Sequence, residues 1–171
     1  MTYNPNKHHR RSIRLKGYDY SRPGIYFVTL CVHERKCLFG DSIDEKICLN
    51  ENGEIVQTEW LKSSEIREEI ELDVYQIMPN HFHGIVMIKN NDSRGDRPIT
   101  PTGTFKMRPK SLSSLMAGFK SSVTTKINKL RDTPGKPVWQ RDYYERIIRN
   151  EKELGRIKKY IIENPKNGGR T

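Results

Sequence analysis

The sequence predicts an α+β fold, an antiparallel sheet with helices packed mainly on one face. Runs rich in β-branched and aromatic residues alternate with segments of helical period. Two such runs, 72–78 and 81–88, are separated only by Pro79-Asn80, so short a turn that they should pair antiparallel. The order strand, helix, hairpin, helix, strand, helix places helices beside an antiparallel sheet. A length of 171 residues fits one domain, read here as residues 23–171 behind a polar, basic arm at 1–22.

Residues 24–33, Gly-Ile-Tyr-Phe-Val-Thr-Leu-Cys-Val-His, predict a buried strand entered by the Pro23-Gly24 turn and closed by Leu38-Phe39-Gly40. Residues 47–49 suit a short strand, and Asn52-Gly53 a hairpin turn. Over 55–70, apolar Ile55, Val56, Trp60, Leu61, Ile66 and Ile70 predict an amphipathic helix. Residues 90–110 hold Gly, Pro, Asn, Asp and Thr without an apolar period and predict a long exposed loop. The clearest helix is 111–130. Ser111 is its N-cap, and Leu112, Leu115, Met116, Phe119, Val123, Ile127 and Leu130 share one face. Its other face, with Ser113, Lys120, Ser121 and Thr124, is short and basic enough to approach a phosphate backbone. Residues 138–139 and 144–149 predict strand pieces. Asn150 caps a last helix, 151–163, which Pro165 stops.

The formal net charge is +10, from 31 Lys plus Arg against 21 Asp plus Glu. Such a surplus points to a polyanion, nucleic acid or an anionic membrane. Residues 97–131 hold eight basic side chains and no acid, whereas 41–73 hold eleven acids. A one-sided electrostatic surface follows, its acidic part facing away from the anion. No run approaches the ~18 apolar residues of a membrane span, and the start has no apolar signal core. A cytoplasmic, nucleoid-associated protein is expected. Cys31, Cys37 and Cys48 lack C-x-x-C spacing and are read as reduced and mostly packed.

The most informative stretch is His81-Phe82-His83. On a strand these imidazoles share a face and make a natural pair of metal ligands, while Phe82, Val86 and Ile88 anchor the opposite face. Hydrogen-bonded structural histidines are the alternative. On the last helix, Tyr160 and Asn164 stand i, i+4 beside the stripe Leu154, Ile157 and Ile161. Each can instead be a packed ring or a helix cap. If the sheet brings the groups together, Asn164 completes a three-ligand site with positions left for phosphate oxygens. Mixed N and O ligation suits Mg²⁺ or Mn²⁺, though imidazole also accepts Zn²⁺. Tyrosine suits a reversible attack on a phosphodiester, because aryl phosphates leave readily. Lys158 and Lys159 can hold the substrate or favour the phenolate. Tyr143 and Tyr144 are rival nucleophiles, or else packing or base-stacking rings. Arg10, Arg11, Arg14, Arg108, Lys110, Lys120, Arg141, Arg146 and Lys159 are the candidate DNA contacts, with plain solvation as the alternative.

Met78-Pro79-Asn80-His81-Phe82-His83 resembles the HUH motif of single-tyrosine, insertion-sequence-200-like transposases. Residues 139–149, Trp-Gln-Arg-Asp-Tyr-Tyr-Glu-Arg-Ile-Ile-Arg, and 160–165, Tyr-Ile-Ile-Glu-Asn-Pro, resemble the REP-associated tyrosine transposases among them. Residues 17–20 and 26–29 fit that family's opening, and the resemblance covers about residues 10–166. It implies a ferredoxin-like sheet of HUH endonuclease type. It also implies a divalent metal on His81 and His83, Tyr160 as nucleophile and Asn164 as third ligand, where many relatives have Gln. The implied reaction is cleavage and rejoining of single-stranded DNA next to hairpins through a 5′-phosphotyrosine. Some relatives are homodimers and others monomers, so both states stay open. The competing expectations are a non-catalytic hairpin DNA- or RNA-binding protein, a metal-dependent hydrolase of another phosphodiester, and a nickase of the replication-initiator or relaxase kind.

Overall fold

The computed structural model describes Asp19, residues 22–89 and residues 110–167, the side chains of 166 and 167 excepted. Most of the arm and of the 90–110 loop lie outside these residues, and Arg10, Arg11, Arg14 and Arg108 with them. The elements run β1 (Gly24–Cys31), β2 (Gly40–Ile43), β3 (Lys46–Leu49), α1 (Glu51–Ile66), β4 (Ile70–Met78), β5 (His81–Ile88), α2 (Leu112–Leu130), β6 (Tyr144–Ile148) and α3 (Glu151–Glu163). Four strands form an antiparallel sheet in the order β4-β5-β1-β6. With α1 between β1 and β4, and α2 between β5 and β6, this is the βαββαβ ferredoxin-like arrangement that the resemblance implied. A small hairpin, β2–β3, stands apart.

Among the described residues, α1 and α2 cover one face of the sheet. Val56 and Trp60 of α1 and Leu115, Met116, Phe119 and Val123 of α2 pack on Tyr26, Val28, Phe82 and Val86. Burying each such side chain contributes roughly 1.5–3 kcal/mol. Helix α3 lies on the other face, where Ile161, Leu154 and Ile157 meet Phe27, Ile85 and Ile148. The alternation of β5 divides its residues between these layers, Phe82 and Val86 with α1 and α2, Ile85 with α3.

Several local expectations are corrected. Asn52 and Gly53 are not a hairpin turn but the first turn of α1, because Asn50 accepts a hydrogen bond from the Gly53 amide and caps the helix. Glycine is needed there, since a Cβ would come within 2.2 Å of the Phe39 carbonyl oxygen. The real hairpin is β2–β3, turned by Asp44 and Glu45 at φ 49° and 61°. Helix α1 ends at Ile66, and Ile70 instead opens β4 opposite Ile88, so sheet pairing overrides the apolar period. Ile66, Leu61 and Leu130 are exposed. Cys37 and Cys48 are exposed rather than packed, on a loop and on the two-stranded hairpin, and all three cysteines are free. No helix among the described residues is long and apolar enough to cross a membrane.

A carboxylate ties the two helices of this layer together. The buried Glu59 carboxylate of α1 accepts hydrogen bonds from Ser122 and Lys126 of α2. Burial pushes this carboxyl up, but the hydrogen bonds from Lys126 and Ser122 outweigh it and hold it below 4.5. Its stabilisation is therefore full above the ordinary carboxylate range and lost as pH falls through the depressed native value. Glu59→Gln is expected to cost about 1–3 kcal/mol at neutral pH. It should also flatten the loss of stability between neutral and acid pH in urea denaturation. Gly84 lies under α1, where a Cβ would stand 2.8 Å from Trp60 and 2.9 Å from Phe82. Gly84→Ala is expected to destabilise by about 1–3 kcal/mol in the same assay, through displaced rings.

Candidate functional site

The histidines stand on the α3 face of β5. His81 faces Cys31 and His83 faces Thr29 across the ladder with β1. Their rings meet edge to face at 4.6 Å, and each is 1% exposed. Each Nδ1 has a partner: Asn80 Oδ1 at 2.6 Å from His81, and Thr29 Oγ1 at 2.7 Å from His83. A carboxamide oxygen can only accept, so His81 Nδ1 carries the proton and Nε2 keeps a lone pair. Thr29 can fix the same tautomer at His83. Burial pushes His81 down to about 4, with Asn164 acting against the shift and Arg35 adding to it. Burial, then the neighbouring His81, pushes His83 down to about 3. Both imidazoles are neutral at physiological pH, the form that ligates metals.

Helix α3 brings the other two candidates. Asn164 ends the helix and is 2% exposed; its Nδ2 lies 3.4 Å from His83 Nε2. The Tyr160 ring is 5.3 Å from the His83 ring and 42% exposed. His81, His83, Tyr160 and Asn164 therefore gather on one face. His81 Nε2 and Asn164 Oδ1 are buried without a hydrogen bond. Leaving such atoms unsatisfied costs about 1–3 kcal/mol each, and a cation shared between them would remove that cost. Among the described residues no three His, Cys, Asp or Glu side chains cluster for a metal. The donor set here is two imidazoles and an amide oxygen, which fits a divalent cation with open positions.

The basic candidates are more divided. Lys159 is 74% exposed, with Glu163 at 3.9 Å. Lys158 instead pairs with Asp73 at 2.7 Å and ties α3 to β4. Arg146 is held by Glu153, with its Nε at 2.7 Å. Lys120 donates to the carbonyls of Gln140 and Arg141 at 2.7 and 2.8 Å, which fixes the backbone that carries Arg141. On the same face Thr124 donates to its own helix, to the Lys120 carbonyl at 2.7 Å. Arg141 and Lys110 are exposed. Tyr143 packs against the main core, while Tyr144 is exposed on the site face.

Reading the sequence alone passed over Thr29, Phe27, Asn80 and Arg35. Thr29 had a signal, an aliphatic hydroxyl in a strand otherwise built of apolar and aromatic residues. Phe27 had none, because its stacking on His83 at 5.5 Å depends on strand register.

No family model matches the chain. An uncharacterized protein of Haemophilus influenzae is 38% identical over 167 residues, covering 95% of this chain and 92% of that protein. A solved REP-associated tyrosine transposase bound to a REP hairpin superposes with a TM-score of 0.62 at 20% identity, over 91% of this chain and 74% of that one.

The hydrogen bond to His83 Nδ1 gives this geometry a test. Thr29→Val is expected to weaken Mn²⁺ binding about 10- to 100-fold in titration calorimetry, with the fold intact by circular dichroism.

Proposed function

The chain belongs to the family of the Haemophilus influenzae protein and has the fold of a REP-associated tyrosine transposase, and on that premise we propose that it nicks and rejoins single-stranded DNA beside hairpins, with Tyr160 as nucleophile. The observation that carries this reading is the meeting of a half-exposed phenol with two neutral imidazoles and a buried amide on one sheet face.

His81, His83 and Asn164 would hold a divalent cation, Mg²⁺ or Mn²⁺. When bound, the cation supplies Lewis acidity, withdrawing negative charge from a non-bridging phosphate oxygen. The protein's own groups do the rest. Asn80 and Thr29 orient the imidazoles, and Phe27 sets the Tyr160 ring edge-on at 6.2 Å. The Tyr160 oxygen forms a bond to phosphorus and gives its proton to solvent, to which the ring is open. The bond from phosphorus to the 3′ oxygen of the preceding nucleotide breaks, and that oxygen takes up a proton. The products are a 5′-phosphotyrosine and a free 3′-hydroxyl. Attack by a 3′-hydroxyl on the phosphotyrosine runs the step backward, restores the DNA strand and returns the phenol.

The surplus charge of +10 supports a polyanionic partner. Of the candidate DNA contacts, Lys110, Arg141, Arg146 and Lys159 are described and exposed, and Arg10, Arg11, Arg14 and Arg108 lie outside the described residues. Lys120 serves this surface by fixing the backbone at Arg141. A homodimer is compatible with this assignment but not required by it, since one chain supplies all four site groups.

With Mn²⁺ and a labelled single strand bearing a hairpin, an SDS-stable adduct is expected on Tyr160. Tyr160→Phe should abolish the adduct and leave DNA affinity unchanged, and chelation should also abolish it. Mass spectrometry locating the adduct on Tyr143 or Tyr144 would sink the assignment. Hydrolysis to a free 5′ end without any adduct would replace the reading with a metal-dependent hydrolase.

A further inference from the structure

The site face carries a second exposed aromatic ring that the nicking step does not use. Tyr144 opens β6 opposite Thr29, whose hydroxyl meets His83. Directly opposed residues project from the same face of a sheet, so Tyr144 shares the face of the two imidazoles. Its ring meets Phe27 edge-on at 6.1 Å, and Tyr160 meets the same Phe27 ring at 6.2 Å. The phenylalanine is buried and separates two tyrosines that are 37% and 42% exposed. Both outer rings therefore rest on one fixed support and offer surface to solvent.

Arg146 stands two residues along β6, on the same face. Its guanidinium donates to Glu153 Oε1 from Nε at 2.7 Å and from an Nη at 2.6 Å. Glu153 also accepts from the Arg149 amide at 3.1 Å. The cation is thus oriented by the first turn of α3, while 55% of its side chain remains exposed. Guanidinium has five N–H donors, so some remain for an anion. A supported aromatic ring beside an oriented cation suits a base and its phosphate, because every base has a π-face and every linkage a charge.

We propose that Tyr144 and Arg146 form a nucleotide-binding subsite next to Tyr160. Tyr144 stacks on the base adjoining the attacked phosphodiester, and Arg146 holds the neighbouring phosphate. The proposal rests on the single-strand reading above and adds the path of the strand, from Tyr160 across Phe27 toward the edge strand β6. The subsite fixes the position of the strand without reading base identity.

The test uses the full chain in EDTA, where no nick forms, with an oligothymidylate carrying one central 2-aminopurine. Wild type and Tyr144→Phe are expected to bind it and quench the 2-aminopurine fluorescence by stacking. Tyr144→Leu, which keeps an apolar contact with Phe27, should weaken binding on the order of 5- to 100-fold and lose the quench. Its melting temperature separates this loss from unfolding. Arg146→Gln should lower the salt dependence of binding by about 0.7 in the log–log slope, the value for one phosphate contact on a single strand. Wild type that fails to bind, or binds without quenching, overturns the proposal, as does a Tyr144→Leu protein that binds and quenches like wild type. The measurement needs no covalent adduct, so it can succeed where the nicking assignment fails, and the reverse.

Discussion

The register of β5 against β1 is the constraint on which the site depends. His83 lies opposite Thr29 and His81 opposite Cys31. Strand alternation then sends both imidazoles to one face and Phe82 to the other, where it is locked between Trp60 and Phe119 at ring distances of 4.7 and 5.6 Å. A slip of one residue would exchange the faces, burying imidazoles in the apolar layer and exposing phenylalanine. The heavy packing of Phe82 and the narrow space over Gly84 therefore hold the histidines in place from behind. Both strands are interior to the sheet, so neither can shift without breaking two ladders.

The second requirement is a fixed position for α3. Among the described residues this helix covers the other face alone, with a smaller apolar layer than α1 and α2 provide. Two ion pairs supplement that layer. Lys158 reaches Asp73 on one edge strand, and Glu153 reaches Arg146 on the opposite edge. The β4 bulge between Leu72 and Tyr75 contributes here, since Asp73 lies within it. A helix pinned at both edges carries Tyr160 and Asn164 to the imidazoles with little freedom to rotate. The buried, unpartnered His81 Nε2 and Asn164 Oδ1 are a local cost that such a scaffold can tolerate, as binding sites commonly require.

Charge was the least legible property. The sequence shows a basic surplus and its segregation, but a count of cations does not distinguish those facing solvent from those holding the fold. Lys158, Lys126 and Lys120 turn out to be engaged with Asp73, Glu59 and main-chain carbonyls respectively. Burial also pushes the Lys120 ammonium down from its ordinary range, with Asp142 opposing the shift. Such pairings join residues far apart in the chain, and nothing in a local window announces them. The same holds for Arg35, whose charge bears on His81 from a turn with a left-handed backbone.

Local physics was sufficient for the strands β1 and β5, the capped helices α2 and α3, and the shared face of His81 and His83. Each follows from a period, a cap or an alternation that neighbours in sequence impose. Short-range signals failed where two local solutions compete. Asn52-Gly53 suits a turn or a first helical turn, and the Asn50 cap and the crowding at Phe39 chose the helix. Ile70 suits the end of a helix or the start of a strand, and pairing with Ile88 chose the strand. The meeting of Tyr160 and Asn164 with the histidines belongs to tertiary structure. It joins residues about eighty positions apart through a helix that sequence period alone could place on either side of the sheet. Only the packing of Ile161 on Phe27 and Ile85, with ion pairs to both edges, decides which side that is.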